Sequence, residues 1–392
     1  MGATLVALAA VCHAGDVRRW SEFQSPSAVS ARTVPAPASF HPTHHGDRHD
    51  RVPDLETFCQ RIRASAAWVP AMKPRALVTG GAGFIGSHVA EIYLEHGYEV
   101  DVVDNLASGR REHVPVGARF HELDIGSPEA ARLVREGRFD VISHLAAQID
   151  VRKSVTDPSY DAGVNIGGSL NLLEAARAGG ARSRFVFSST GGAIYGDFVP
   201  VPTMEDMPKD PESPYGIAKL SVEYYMAYFA RVHGLETVAL RYSNVYGPRQ
   251  NPHGEAGVVA IFCDRILSGR PMTVFGDGMQ TRDYVFVEDV ARANLAAARA
   301  SLPAMRTLDT RSYNIGTAQE TTVLQLAELL RIAAGASTPI QLAPARVGEQ
   351  LRSVVNVDKA DRELGWKPRV SLADGLSATH GYFANRYAME DR

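Results

Sequence analysis

Arg75-Ala76-Leu77-Val78-Thr79-Gly80-Gly81-Ala82-Gly83-Phe84-Ile85-Gly86-Ser87 is the stretch on which the reading of the fold turns. Its first four residues form a short apolar run ending in a β-branched side chain, which predicts a strand; residues 89–94 place their apolar side chains at helical spacing. Strand, glycine turn and helix open a βαβ dinucleotide-binding unit. The glycines there permit a tight turn, close approach of backbone to a pyrophosphate, and close packing of helix on strand. Exposed N–H groups and partial positive charge at the helix N-terminus attract the phosphates. A glycine-rich turn also serves packing alone, so the motif needs support from elsewhere in the chain. A mononucleotide P-loop fits worse, because Ser87 stands where that motif needs its lysine.

Support comes from Glu99-Val100-Asp101-Val102-Val103, a second predicted strand that ends at Asp104, 18 positions beyond Gly86. A carboxylate at about that distance accepts hydrogen bonds from the adenosine 2′- and 3′-hydroxyls and repels a 2′-phosphate, which favours NAD over NADP. Further strands are expected at residues 119–124, 140–144, 184–188 and 237–241, with helices at 128–136, 157–178 and 213–232. Strands alternating with helices predict an α/β fold: a Rossmann-type doubly wound parallel sheet. Beyond Pro248 the alternation loosens, and helices at 258–267, 290–300 and 322–334 with a short strand at 272–275 suggest a smaller substrate-binding lobe. The expected division is an extension over 1–72, an NAD-binding domain over 73–250 with return segments near 283–316, and a substrate lobe over most of 251–392.

The chain has 392 residues, 45% hydrophobic and 22% charged, the balance of a globular protein, and a net charge of −3 that gives no general case for nucleic acid or anionic membrane as partner. Cys12, Cys59 and Cys263 show no metal-ligand or redox spacing, so neither a metal site nor a disulfide framework is expected, and a reduced, cytoplasmic protein is the plain reading. Residues 1–72 contrast with the rest: they hold Pro-Ala-Pro-Ala, serine runs and His41, His44, His45 and His49, without a sustained apolar period. The apolar run from Thr4 to Val11 is too short to span a bilayer. A disordered arm, or a start of the working protein at Met72, is the expectation there.

The chemistry centres on Tyr215-Gly216-Ile217-Ala218-Lys219, early on a predicted helix. Residues i and i+4 share one face, so phenol and ammonium converge. A free tyrosine, with pKa ~10, is a poor base at neutral pH; a neighbouring Lys⁺ and a positive nicotinamide ring favour its phenolate. Tyr and Lys at this spacing are more often mere neighbours on a helix surface, but Thr190, in Ser188-Ser189-Thr190 at the end of the preceding strand, supplies a hydroxyl to relay a proton beside Tyr215.

These residues, with Val103-Asp104-Asn105, His144-Leu145-Ala146-Ala147-Gln148, residues 187–196, Ser213-Pro214-Tyr215-Gly216, residues 241–250, 253–262, Phe275-Gly276-Asp277-Gly278 and Gln280-Thr281-Arg282-Asp283-Tyr284, resemble the extended short-chain dehydrogenase/reductase family, in particular its UDP-hexose 4-epimerases. The resemblance covers Lys73 to about Tyr387. It implies that Gly80, Gly83, Phe84, Ile85 and Gly86 cradle the NAD pyrophosphate. Asp104 and Asn105 would bind the adenosine ribose, Asp124 and Ile125 would flank the adenine, and Lys219 would hold the nicotinamide ribose. Tyr215 would be the base, with Thr190 its partner. Asn244, Arg282, Tyr284, Arg346 and Glu349 match positions that grip a UDP-sugar, and Ser353 matches a position that gates sugar size, where a small residue leaves room for an N-acetyl group. A homodimer through helices 157–178 and 213–232 is implied as well. Related 4,6-dehydratases place Asp-Glu after the Ser/Thr, where this chain has Gly191-Gly192, which weighs against net elimination. A UDP-glucuronate epimerase or decarboxylase, with Arg152 on the carboxylate, and a non-catalytic NAD-binding regulator are the competing expectations.

Overall fold

The computed structural model describes residues 73–180, 183–253, 257–345 and 350–390. The expectations for residues 1–72, including the start at Met72, the histidine cluster and two of the cysteines, lie outside the described residues, as do Arg346 and Glu349.

The first unit is β1 (Arg75–Thr79), α1 (Phe84–Glu95) and β2 (Glu99–Asp104). It is followed by β3 (Arg119–Glu122), α2 (Pro128–Gly137), β4 (Val141–His144), α3 (Val151–Thr156), α4 (Pro158–Ala162) and α5 (Gly168–Ala178). Next come β5 (Arg184–Thr190), α6 (Pro214–His233), β6 (Glu236–Tyr242) and β7 (Asn244–Tyr246). The later chain holds α7 (Val258–Leu267), β8 (Met272–Phe275), β9 (Thr281–Arg282), β10 (Tyr284–Phe286), α8 (Val287–Arg299), β11 (Ser312–Ile315), β12 (Thr321–Thr322) and α9 (Val323–Ala333). It ends with β13 (Ile340–Ala343), β14 (Arg352–Ser353), α10 (Asp358–Leu364) and α11 (Leu372–Glu390).

Seven strands form one parallel sheet in the order β11-β6-β5-β4-β1-β2-β3. The chain reverses direction across the sheet beside β1, which makes the β1/β4 boundary the crevice where open α/β sheets bind ligands. Alternate residues of each strand face opposite layers. Ala76 and Val78 pack with Val89, Ala90 and Tyr93 of α1 and with Val290 and Ala293 of α8. Leu77, Ile142, Phe185 and Phe187 pack with Leu172 and Leu173 of α5 and with Val222 and Met226 of α6. A separate core of Val259, Phe262, Cys263, Val274, Leu326, Leu330 and Leu376 holds α7, β8, α9 and α11 together.

Helix starts follow the sequence. Ser127 caps α2 and Ser213 caps α6, each with proline in the first turn, and Thr322 with Gln325 forms a capping box on α9. The 157–178 helix departs from expectation. Asp157 ends α3 and caps α4, and the stretch Gly163–Gly167 is π-helical before α5 begins. Asn165, inside this widened turn, ties it to the loop before α3: its amide donates to Gln148 O (2.8 Å) and Asp161 Oδ1 (3.0 Å) and its Oδ1 accepts from Gln148 N (2.9 Å). Such π-turns are frequent at functional sites.

Candidate active site

The glycine turn is built as its sequence demands. Gly80 has φ +71°, and a Cβ there would come within 2.7 Å of Ala146 N; a Cβ on Gly86 would come within 2.1 Å of Gly80 O. Side chains are thus sterically forbidden where helix meets strand. Gly83 forms the N-cap of α1 with no side-chain cap hydrogen bond, and no acidic residue lies in the first turn, which contains Phe84, Ile85 and Gly86. That amide-bearing end fits the pyrophosphate of a dinucleotide. Asp104, almost fully buried at the end of β2, accepts from Ala82 N (3.0 Å) and Leu106 N (2.8 Å). Burial pushes its carboxyl up while these two N–H groups pull it down. Asp104 therefore shapes the glycine turn itself, and each of its oxygens keeps a lone pair for the ribose hydroxyls. Asn105 donates to Asp124 Oδ2 (2.9 Å), joining the ends of β2 and β3, and Ile125 is buried against Gly168 of α5. These residues fit NAD.

At the end of β5, the Lys219 ammonium is buried and donates to Ser188 O at 2.9 Å, 5.7 Å from the centre of the Tyr215 ring. The i, i+4 spacing thus places both groups on the face turned toward β5. Tyr215 N donates to Ser154 Oγ (3.3 Å), and a Cβ on Gly216 would come within 2.4 Å of Ala193 O. The first turn of α6 therefore sits directly on the turn that follows Thr190. One rung further along α6, Glu223 accepts from Ser189 Oγ (2.5 Å) and pairs with Arg241 (Nη2–Oε2 2.6 Å), both fully buried. Arg241 also donates to Tyr195 Oη, Glu205 O and Asp309 Oδ1. The sequence reading missed this pair, which fastens β5, β6 and α6 behind Lys219.

His144 lies between β1 and α5. Ser169 Oγ donates to Asn165 O, so it accepts from His144 Nε2–H (2.9 Å), while Thr79 Oγ1 donates to Nδ1 (2.7 Å) and accepts from Ala146 N. The ring is neutral; burial, then the Lys219 charge, push its pKa down to about 3. Because the folded value lies below the ordinary 6.5, the stability His144 contributes is fully present above pH 6.5 and is lost as pH falls toward 3. The expected slope is at most about 1.4 kcal/mol per pH unit for this group. Urea denaturation at pH 7 and pH 5 should show a smaller pH effect in His144→Gln than in the wild type.

Of the remaining predicted residues, Asn244, Arg282, Tyr284 and Ser353 lie on two small sheets outside the seven-stranded one. Asn244 on β7 stands in register with Tyr284 on β10, and Arg282 on β9 with Ser353 on β14. Asp283, fully buried between Arg282 and Tyr284, joins them: its C=O accepts from Asn244 N (2.9 Å) and its N–H donates to Ser353 O (3.0 Å). Its carboxylate accepts from Thr317 N, Thr317 Oγ1 and Ala318 N. Tyr284 is buried, which pushes its hydroxyl up to about 12. Thr190, Asn244 and Ser353 surround Gly192. Asp283 was legible only as a neighbour of Arg282; its acceptor role depends on residues more than thirty positions away.

A glycine turn at the sheet's reversal point, a buried carboxylate at the end of β2 and a Tyr/Lys pair at the end of β5 fit an NAD-dependent enzyme. The model of the NAD dependent epimerase/dehydratase family matches residues 76–316, and the chain belongs to that family. A UDP-glucose 4-epimerase of Mycolicibacterium smegmatis is 42% identical over 317 residues, covering 80% of this chain and 99% of that protein. The structure resembles a Thermotoga maritima UDP-glucose 4-epimerase solved with UDP-glucose (TM-score 0.75, 49% identity, 80% of this chain and 99% of that one). It also resembles a Thermus thermophilus UDP-glucose 4-epimerase solved with NAD (TM-score 0.72, 46% identity, 79% and 98%). Among the described residues, no group of His, Cys, Asp and Glu could hold a metal ion, and no helix is long and apolar enough to cross a membrane.

Proposed function

We propose that this protein interconverts UDP-glucose and UDP-galactose by epimerisation at C4 through a 4-keto sugar, and that it accepts UDP-N-acetylhexosamines as well. The observation that carries the reading is the Tyr215–Lys219 face of α6, set against the β5 end beside the hollow of Thr190, Asn244 and Ser353. The names of the relatives, UDP-glucose 4-epimerases that align over nearly their whole length, support the substrate class.

Tyr215 takes the proton from the sugar 4-hydroxyl. Lys219, held in place by the Ser188 carbonyl, keeps a positive charge near the phenolate. Thr190 hydrogen-bonds the same sugar oxygen. Gly80, Gly83, Phe84, Ile85, Gly86, Asp104, Asn105, Asp124, Ile125 and Lys219 would hold NAD, which would supply the acceptor for the hydride from C4 and the donor for its return on the opposite face. Arg282, with Arg346, pairs with the diphosphate, a task suited to guanidinium forks. Asn244, Tyr284 and Glu349 hold the remaining polar groups, and Ser353 leaves space beside the hexose. A firm grip on UDP with a loose grip on the sugar lets the keto-hexose turn over. Gly191-Gly192 offers no carboxyl to expel a hydroxyl, which favours epimerisation over dehydration.

The protein is read as a cytoplasmic homodimer. Ile217, Tyr224, Tyr225, Tyr228 and Val232 form an exposed apolar stripe on α6, with Tyr224 58% exposed. Burying such a stripe against a second copy removes it from water. Incubation with UDP-galactose, UDP-N-acetylgalactosamine and UDP-glucuronate, with products resolved by NMR, tests the reading. The C4 epimers of the first two are expected; a keto-deoxy sugar, CO₂ or no turnover would overturn it.

A further inference from the structure

We propose that Gly192 sets the size of hexose the site admits, a reading that rests on the UDP-hexose assignment above. Most glycines around the site are demanded by the fold. A methyl group on Gly191 would come within 2.9 Å of Val355 Cγ1 and 3.1 Å of Arg241 O, and one on Gly216 within 2.4 Å of Ala193 O. Gly192 differs. Its φ lies outside the left-handed region, and a methyl group there would make only ordinary contacts: 3.8 Å to Ser353 Oγ, 3.9 Å to Asn244 Oδ1 and 3.9 Å to Thr190 Oγ1.

The protein therefore has room for a side chain at 192 and carries none, although glycine costs more conformational entropy on folding than any other residue. The space is ringed by a threonine hydroxyl, an amide oxygen and a serine hydroxyl. Neutral donors and acceptors of that kind suit sugar hydroxyls, whereas a diphosphate calls for cationic partners such as Arg282. Thr190 lies at the β5 end next to the first turn of α6, which places the hollow on the Tyr215 side of the site. The missing side chain at 192 is thus space for the hexose, and filling it excludes the sugar without touching the nucleotide.

Gly192→Ala and Gly192→Val test this in the full chain loaded with NAD. Added methyl groups in a fitted pocket change discrimination by roughly 10–200-fold. The expected result is a graded fall in kcat/KM for UDP-galactose, smaller for alanine and about ten-fold or more for valine. The affinity for UDP alone, read by calorimetry, should change by less than about two-fold in a protein of wild-type melting temperature, since the nucleotide is untouched. Equal weakening of UDP and UDP-galactose would make Gly192 a structural or nucleotide position and overturn the proposal. So would wild-type turnover of UDP-galactose by the valine variant. A wild-type protein that turns over no UDP-hexose while binding UDP would instead bring down the assignment on which the proposal rests.

Discussion

Tyr215→Phe is expected to lower turnover of UDP-galactose by about 10²–10⁴-fold, the range for removing a positioned general base. NAD content and melting temperature should stay at wild-type values. The substitution removes one oxygen from a half-buried ring whose backbone is fixed independently, by the Ser213 cap, the Ser154 contact and the packing of Gly216 on Ala193. Lys219 keeps its hydrogen bond to Ser188 O in the variant, so the ammonium stays in place at the end of β5. A loss confined to kcat, measured by steady-state kinetics on protein of verified NAD content, assigns the oxygen to the chemical step. Normal activity would remove Tyr215 from the mechanism.

Glu223→Ala is the substitution expected to cost most in stability, about 3–5 kcal/mol, because it strands a buried cation. Arg241 is 0% exposed and meets Glu223 through both Nε and Nη2. Asp309 supplies a second carboxylate to Arg241 but is shared with Lys209, so it does not replace Glu223. Ser189 would lose its acceptor as well, loosening the β5 end that carries Ser188 and Thr190. Denaturant titration reads the loss. The surface pair Arg352–Glu320 is the control, and Glu320→Ala should cost less than about 1 kcal/mol.

The contrast between these residues shows what the sequence makes legible. The glycine turn, Asp104 and the Tyr-x-x-x-Lys spacing are local patterns, each meaningful within one or two elements, and six strands of the sheet follow from their alternation with helices; the seventh, β11, returns from the later chain to pair with β6 and was not read as a strand. The helix over 157–178 is helical from Pro158 to Ala178 but carries a π-turn at Gly163–Gly167, where Asn165 reaches back to Gln148, a contact that no helical period encodes. Glu223 and Arg241 lie 18 positions apart on different elements, and Asp283 finds its donors at Thr317 and Ala318. Such pairings exist only once the chain has crossed the sheet. Gly192 was legible as half of the Gly191-Gly192 pair where related 4,6-dehydratases place Asp-Glu, but the steric freedom that gives it meaning required coordinates.

In the proposed reaction the hydride taken from C4 returns to C4 while Tyr215 handles the hydroxyl proton. UDP-galactose carrying deuterium at C4, incubated with the NAD-loaded protein in ordinary water, tests it directly by NMR and mass spectrometry. The expected product is UDP-glucose that retains the deuterium at C4. Loss of the label to solvent, or transfer of it elsewhere on the sugar, would contradict it.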